Sequence, residues 1–204
     1  MARPSAREKL LDCAETLYAA HGLEGVSLRA INAEAGLSPA ALHYHFGTQK
    51  ALVEALLERH MPALMARRRQ LLDALEDRPT KPAPRDVLRA LIQPLAEFLA
   101  EGGEPGLRYL RLIHRLQADG DLDPRFVLER WPGGVDRLVP LLRAAKPSLP
   151  LPLIRFRLGL AIDVVLSSLA HGRPPSGGGL EAHVSALLDF VTGAFGTPIT
   201  GGTS

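Results

Sequence analysis

Residues 27–46, with the sequence SLRAINAEAGLSPAALHYHF, decide the fold because they predict two short helices joined by a tight turn. Ser27 has the side-chain oxygen of a helix N-cap, and apolar residues follow it at helical spacing. Gly36 favours the left-handed conformation that ends a helix. Ser38 followed by Pro39 is typical of an N-cap and the first residue of the next helix. The stretch therefore predicts a helix, a turn and a second helix.

The second helix of this stretch has an outward face that suits a DNA groove. Leu42 and Phe46 are four residues apart and should face the core, which leaves Ala40, His43 and Tyr44 outside. Two helices joined through a glycine-containing turn form a helix-turn-helix, whose second helix enters the major groove. The alternative is an ordinary helical hairpin in an all-α protein.

The same residues resemble the DNA-binding signature of a known family. The pattern Ser27-x-Arg29-x-Ile31-x-x-x-Ala35-Gly36-x-Ser38-x-x-x-Leu42-x-Tyr44-His45-Phe46 is similar to that of the TetR/AcrR (tetracycline-repressor-like) transcriptional regulators, over residues 7–57. This resemblance favours the helix-turn-helix over the ordinary hairpin. His43 stands where the family usually has Tyr, and Gln49 where it usually has a phosphate-contacting Lys, with Lys50 one residue later.

We expect the second helix to contact bases and the residues around it to hold the DNA backbone. The predicted DNA-binding residues are Ser27, Arg29, Ser38, Pro39, Ala40, His43, Tyr44 and Lys50. Residues 1–50 carry five basic and five acidic side chains, so their net charge does not favour DNA. Phosphate binding then depends on local placement, namely a flexible arm with Arg3 and Arg7, the amide-rich helix starts and Lys50.

Composition indicates a folded protein of 204 residues, 46% apolar and 23% charged, with one domain and a small appendage. No apolar run follows a basic N-terminal start, and the apolar run 158–170 contains Asp163 and is shorter than the roughly 20 residues of a membrane span. We therefore expect a cytoplasmic protein. Cys13 is the only cysteine, which excludes an intrachain disulfide and a cysteine zinc site, and its spacing indicates a core position.

Helical patterns cover the rest of the chain, with no internal repeat and no alternating strand pattern. They predict helices over residues 5–20, 85–100, 105–118, 135–145, 153–171 and 180–195, a short helix after Asp123, and a loop over 173–179. A long fourth helix after Thr48 should be kinked or broken at Pro62. The predicted fold is all-α with about nine helices: a helix-turn-helix domain at 1–47 and a ligand-binding and dimerisation domain at 48–204.

The last two long helices have more apolar surface than one small bundle can hide. The residues that cover more than one face are Phe156, Leu160, Val164, Leu166, Leu169, Val184, Leu187, Leu188, Val191 and Phe195. A twofold partner would cover the second face and give a four-helix dimer interface, with close backbone approach at Gly159. The family resemblance also implies dimerisation through these helices. The alternative is a monomer with a thicker core.

Two charged features allow both a structural and a ligand-binding interpretation. Asp163 lies within the most apolar helix, where burial would require either a basic partner, such as Arg155, Arg157 or a residue of the other subunit, or a ligand; we favour the partner. The run of three arginines at 67–69 is either a phosphate clamp or a solvated helix face, and we favour the solvated face.

A small-molecule cavity in the C-terminal bundle is implied by the resemblance, since the family usually binds an inducer there. The predicted ligand-binding residues are Tyr109, Arg111, His114, Arg115, Trp131 and Asp163. Taken alone, His114 would more often be a satisfied core or surface histidine. The layout after Pro62 is weakly similar to that of fatty-acid-responsive members, which favours an apolar or acyl inducer.

No catalytic pattern supports an enzyme, because the sequence contains no phosphate-binding glycine loop, no Gly-x-Ser-x-Gly elbow and no zinc-protease motif. His43 and His45 are two residues apart on a helix and form a poor metal pair. We predict no cofactor and a homodimeric, ligand-responsive regulator, a repressor rather than an activator, that binds a pseudo-palindromic DNA operator. The alternative is a helical ligand-binding or scaffold protein that no longer binds DNA.

Overall fold

The computed structural model describes residues 4–171 and 178–196, and all regular secondary structure in this part of the chain is helical. The helices are α1 (Ala6–His21), α2 (Leu28–Glu34), α3 (Ala41–Phe46), α4 (Gln49–Glu58), α5 (Met61–Glu76), α6 (Pro84–Ala118), α7 (Pro124–Arg130), α8 (Leu138–Ala145), α9 (Leu151–His171) and α10 (Leu180–Gly196). The all-α prediction is confirmed, with ten helices in the described residues where about nine were expected. Arg3 of the predicted arm and residues 173–177 of the predicted loop lie outside the described residues.

The N-terminal helices begin where side-chain caps hold them. The hydroxyl oxygens of Ser5, Ser27 and Thr48 accept hydrogen bonds from the backbone amides three residues later, at 3.2, 3.1 and 3.1 Å. These bonds satisfy amides that have no partner within the first turn of α1, α2 and α4. The predicted cap at Ser27 is therefore confirmed, and Thr48 caps the helix that was predicted to follow it.

The start of α3 differs from the prediction that Ser38 caps it. The Ser38 carbonyl accepts a turn hydrogen bond from Ala41 N at 3.0 Å, and the helical bonds begin only with Tyr44 N to Ala40 O at 2.9 Å. The N-cap residue is Ala40, which makes no side-chain cap. Ser38 and Pro39 thus form a tight turn that leads into the helix.

The predicted long fourth helix is broken into α4 and α5 at Arg59 and His60. Pro62 lies in the first turn of α5, where its missing N–H removes no helical hydrogen bond. The predicted break at this proline is confirmed, and it separates α4, which packs on α1 and α3, from α5, which packs on α6.

The central element is α6, which packs against α1, α5, α8, α9 and α10. Its two halves meet at Gly103, whose φ of 52° and ψ of −132° produce a kink. The prediction of two helices separated at Gly102 and Gly103 is confirmed, since the non-helical backbone of Gly103 divides α6 into two helical halves. Pro94, inside the first half, leaves the carbonyl of Ala90 without its usual helical donor.

The remaining helices complete the bundle. Asp123 accepts a hydrogen bond from Arg125 N at 2.8 Å and caps α7, as predicted. The next helix, α8, begins at Leu138 rather than at Val135, and α9 begins two residues before its predicted start. No helix among the described residues is both long enough and apolar enough to cross a membrane.

Candidate nucleic-acid interface and ligand cavity

The two helices of the helix-turn-helix are joined by Asn32, a buried residue of α2. Its amide nitrogen donates to the carbonyls of Leu28 and Pro39, both at 3.1 Å, and its oxygen accepts from the backbone N–H of Leu42 at 3.1 Å. The three bonds fix the turn and the first residues of α3 relative to α2. Asn32 is not among the residues predicted from the sequence; the available signal was a polar amide within the apolar pattern of a short helix.

The outward face of α3 is presented to solvent as predicted. Tyr44 is 85% exposed, the largest exposed fraction among the exposed large apolar side chains, while Leu42 is 1% exposed. Ala40 and His43 are exposed on the same side, and Phe46 is half-buried. The helix therefore offers a phenol, an imidazole and a small methyl group together.

The ring orientation of His43 is set by the end of its own helix. Nδ1 donates a hydrogen bond to the carbonyl of Gly47 at 2.9 Å. A neutral imidazole with its proton on Nδ1 has an acceptor at Nε2. In that tautomer, Nε2 of His43 suits a donor such as a base amino group.

The residues predicted to hold the DNA backbone are exposed, but the Ser27 hydroxyl oxygen is already hydrogen-bonded. Ser27, Arg29, Ser38, Pro39 and Lys50 are all exposed. Ser27 Oγ is engaged in its cap, so a phosphate at this helix start would meet the backbone amides.

The prediction that Arg7 belongs to a flexible N-terminal arm is wrong. This residue lies in α1, and its guanidinium carbon is 5.3 Å from the centroid of the Phe46 ring. Arg7 therefore packs on the end of α3 as a cation–π partner. Gln49 also turns inward, because its amide donates to the carbonyl of Leu23 at 3.2 Å.

A cavity of about 420 Å³ lies in the C-terminal bundle. Its wall consists mainly of leucine, isoleucine, valine and methionine side chains from α5, α6, α7 and α9 and the residues that connect them. The polar side chains in the wall are Arg68, Gln117 and Asp163. This volume falls within the range of roughly 300–1,000 Å³ that is usual for small-molecule sites.

Arg68 is buried, contrary to the prediction that residues 67–69 form a solvated face. Its side chain is within the core at 2% exposure, because α5 directs it toward α6 and the cavity. Arg67 pairs with Glu97 at 2.7 Å on the surface, and Arg69 donates to the carbonyl of Pro132 at 3.2 Å. Burial lowers the pKa of Arg68 to about 10, which leaves the guanidinium charged at neutral pH.

Asp163 is exposed, so the prediction that it is buried in α9 is wrong. Its carboxylate accepts a short hydrogen bond from the amide of Gln117 on α6. The apolar surface of α9 extends over more than one face, but position 163 lies on the side that opens to solvent. Asp163 and Gln117 together line the cavity.

The other five residues predicted to bind ligand do not line the cavity. The Tyr109 hydroxyl donates to the carbonyl of Leu57 at 3.1 Å, and Arg111 donates to that of Ala170 at 3.2 Å. The remaining contacts are His114 against His171, Arg115 with Asp119, and Trp131 against Phe126. Spacing along one helix did not show which of its faces the cavity occupies, and the apolar wall residues looked like ordinary core.

Comparison with known proteins decides the family. Residues 10–56 match the family model described as bacterial regulatory proteins, tetR family. Residues 89–194, more than half of the chain, match the tetracyclin repressor-like C-terminal domain. The chain belongs to the TetR family. The family model is described as regulatory proteins, which agrees with the expectation of a regulator.

Individual relatives agree with this assignment. The HTH-type transcriptional repressor KstR2 of Mycolicibacterium smegmatis is 35% identical over 69 residues, which cover 34% of this chain and 34% of that protein. The chain thus spans about a third of the length of the curated relatives it matches. Two solved structures share the fold: the ketosteroid transcriptional regulator KstR2 of Mycobacterium tuberculosis and the probable transcriptional regulatory protein RHA5900.

These two structures superpose over nearly the whole chain. KstR2 has a TM-score of 0.62 at 24% identity, over 94% of this chain and 95% of that chain. RHA5900 has a TM-score of 0.64 at 18% identity, over 94% of this chain and all of the other. At these identities the likeness describes the fold and not the ligand or the operator.

In this TetR-family chain a charged cluster connects the helix-turn-helix to the C-terminal bundle. The buried carboxylate of Glu15 on α1 pairs with Arg59 at 3.3 Å and with Arg108 of α6 at 3.1 Å. Arg59 also binds Asp12 at 2.7 Å. Burial raises the pKa of Glu15, and the two arginines oppose that rise. The cluster therefore joins α1, the α4–α5 break and α6 at one point.

The surface of α9 and α10 that faces away from this TetR-family bundle carries exposed apolar residues. Phe156, Leu160 and Phe190 are 63%, 49% and 68% exposed. Of the residues predicted to cover more than one face of these helices, six are buried in the chain's own core: Leu166, Leu169, Leu187, Leu188, Val191 and Phe195. An added methyl group at Gly159 would meet no atom within 4 Å, so the backbone is open to close approach there.

Proposed function

We propose that the chain is a homodimeric TetR-family repressor that binds a pseudo-palindromic DNA operator through α3 and releases it when a small molecule enters the cavity. The observation that carries the proposal is the geometry of α3, a short helix fixed to α2 by Asn32 with Tyr44 85% exposed. A helix held in this way suits a major groove, in which its exposed side chains contact base edges.

Base recognition is assigned to Ala40, His43 and Tyr44. The small Ala40 methyl group suits contact with a thymine methyl, and the His43 acceptor suits a cytosine or adenine amino group. Arg29, Lys50 and the amides after Ser27 are assigned to phosphates, which set the register on the duplex.

The dimer is assigned to the exposed apolar surface of α9 and α10. Large apolar side chains such as Phe156 and Phe190 rarely gather on the free surface of a monomer, and a second copy of the chain would cover them. A twofold dimer carries two copies of α3, which must lie about 34 Å apart to enter successive major grooves. The division at residues 47 and 48 into two functional parts, and the cytoplasmic location that DNA binding requires, stay predictions.

Control by ligand is supported by the position of α5. Met61, Leu64 and Met65 of its first turns line the cavity, and α5 follows directly after the break at Arg59 and His60. Arg59 is bound to Asp12 and Glu15 of α1. A shift of α5 would therefore move Arg59 and, through these ion pairs, displace α1 and the helix-turn-helix. A displacement of an ångström or two here would alter the separation of the two α3 helices.

The experiment that tests the DNA-binding function is selection of random duplex DNA on the purified protein, repeated with Tyr44→Ala and Lys50→Ala. We expect an inverted repeat from the wild type, and its loss with Tyr44→Ala. Lys50→Ala should weaken all sequences alike and lower the slope of log affinity against log salt by about 1. Lys81→Ala, which removes the same charge from the connection between α5 and α6, is the matched control and should change neither property.

If the wild type enriches no sequence at low salt, the chain is a ligand-binding or scaffold protein that no longer binds DNA. That alternative is motivated by the neutral charge of residues 1–50 and by the inward orientation of Gln49. The control scheme is tested separately. A compound that binds the cavity but leaves operator affinity unchanged would contradict it.

A further inference from the structure

The cavity contains Arg68, a cation that forms no ion pair with any carboxylate of the described residues. Arg68 is 2% exposed. A charge of this kind is costly to bury without compensation, since both its hydration and its counter-charge are lost. The cost indicates either a structural task or an absent partner.

Part of the guanidinium has a structural task. Nε donates to the carbonyl of Ala90 at 3.3 Å, and Nη2 donates to that of Leu91 at 3.0 Å. Ala90 is four residues before Pro94, whose missing N–H leaves this carbonyl free. Arg68 therefore repairs the hydrogen bonding of α6 at its proline.

This task leaves donors and charge unused. A guanidinium has five N–H groups, and carbonyls take two of those on Arg68. Nη1 has the thioether of Met65 at 3.4 Å, a weak acceptor. One N–H on each terminal nitrogen has no acceptor among the described residues, and a neutral side chain could have bonded the two carbonyls. The positive charge itself is unexplained by the fold.

We propose that the cavity binds an apolar carboxylic acid whose carboxylate pairs with Arg68. The rest of the wall is aliphatic and suits a hydrocarbon body, while the two free N–H groups of Arg68 match the two oxygens of a carboxylate. Asp163 is the other charged group in the wall, but it is exposed and bound to Gln117, so water and an amide compensate it. The anion is thus held at the buried arginine and away from the solvated carboxylate.

The inference rests on the proposal that this cavity is the ligand site, but its test needs no DNA. Trp131 is the only tryptophan of the chain, is 7% exposed, and donates its backbone N–H to Val127 of the cavity wall. Its side chain does not line the cavity, however, so binding is measured directly by isothermal titration calorimetry of the full chain. If this test fails but the DNA selection succeeds, the proposal of a carboxylate ligand is refuted and the proposal of a DNA-binding regulator stands.

The experiment titrates the full chain with three probes of equal chain length below their micelle concentrations: decanoate, 1-decanol and decyltrimethylammonium. We expect decanoate to bind about tenfold to a hundredfold more tightly than decanol, as a charge-assisted pair would give. Equal affinity for decanoate and decanol overturns the proposal. Tightest binding of the ammonium probe also overturns it, because Asp163 would then be the anchor.

Variants assign the effect to the residue. Arg68→Gln keeps an amide donor for the α6 carbonyls but removes the charge, and should abolish the preference for decanoate over decanol. Arg67→Gln removes the same charge from the neighbouring surface position and should retain the preference. A preference that persists in Arg68→Gln refutes the proposal. If Arg68→Gln does not fold, the wild-type comparison of the three probes still decides.

Discussion

At the scale of single residues, Asn32 determines whether α3 has a fixed position. It satisfies the buried N–H of Leu42 and donates to two carbonyls. Asn32→Ala should lower the free energy of unfolding by about 2–4 kcal/mol, because one buried donor loses its acceptor and two further bonds are lost. Urea denaturation followed by circular dichroism measures this change.

The matched control for Asn32 is Glu34→Gln, an exposed position on the same helix, which should change the free energy of unfolding by less than about 0.5 kcal/mol. If the two variants were equally stable, the hydrogen bonds of Asn32 would contribute nothing net. We also expect Asn32→Ala to weaken operator binding at temperatures where the protein is still folded.

Gln49 should act on stability and not on DNA. Its amide bonds the carbonyl of Leu23 at 3.2 Å, so Gln49→Ala should lower the free energy of unfolding by about 0.5–1.5 kcal/mol. Operator affinity should change less than with Lys50→Ala, which removes an exposed cation beside α3. Equal loss of operator affinity in the two variants, measured by fluorescence anisotropy, would show that Gln49 reaches the DNA backbone.

Residue roles could be predicted where a local rule determines them, and not where the tertiary structure does. Ser27 caps a helix by its own sequence context, and Tyr44 is exposed because Leu42 must be buried. Arg68 looked like a surface charge, because nothing local shows that Pro94, twenty-six residues later, leaves a carbonyl that a guanidinium could bond. Asp163 looked buried for the converse reason, since its helix is apolar on more than one face.

At the scale of elements, the kink in α6 requires a glycine at one position and not at its neighbour. Gly103 has a φ of 52°, a backbone angle that residues with a side chain rarely adopt. Gly103→Ala should lower the free energy of unfolding by about 1–3 kcal/mol. Gly102→Ala is the control: an added methyl group meets no atom within 4 Å, and the substitution should stabilise by about 0.5–1 kcal/mol. Equal effects of the two substitutions in thermal denaturation would contradict a kink at Gly103.

The break between α4 and α5 should be sensitive to pH through His60. Its ring lies 5.0 Å from that of Phe98 and 4.6 Å from that of Tyr109, and burial together with Arg59 lowers its pKa. The unfolded chain then takes up the proton more readily than the folded chain. Stability should therefore fall as the pH drops below about 6.5, the ordinary value for histidine, and through the lowered pKa.

His60→Phe keeps an aromatic ring and removes the titrating group, so the fall in stability at low pH should be smaller in this variant. Some of it should remain, since burial and His171 also lower the pKa of His114 and act with the same sign. Urea denaturation at a series of pH values measures both curves. Parallel curves for wild type and His60→Phe would exclude His60 as a source of the dependence.

Most elements could be predicted because their ends carry local signals, and the exceptions are those with distant causes. Thr48 and Asp123 begin helices by side-chain caps, and Pro62 forces a break. The late start of α3 follows from Asn32, which binds Pro39 and Leu42 and holds the turn in place. Because these hydrogen bonds connect α2 to the turn and to α3, the sequence pattern of neither helix alone predicts them.

For the molecule as a whole, the proposed operator binding requires two copies of the chain at a fixed distance. Phe156 and Phe190, both more than 60% exposed, lie on the helices assigned to the interface. A glutamate at either position would place a charge in an apolar contact, where it would lose its hydration without gaining a partner. Phe156→Glu and Phe190→Glu should therefore convert the dimer to a monomer.

The monomeric variants should retain the fold, because both side chains lie outside the core, and circular dichroism checks this. Sedimentation velocity should show a mass near 22.0 kDa, that of one chain, instead of twice that value. Operator affinity should fall at least a hundredfold, since each half-site would be bound alone without the gain of a linked second contact. Gln70→Glu adds the same charge to the exposed side of α5 and should stay dimeric. If the wild-type chain sediments as a monomer at micromolar concentration, the proposed α9–α10 interface is wrong. The spacing of two α3 helices, on which the proposed operator depends, would then have no basis.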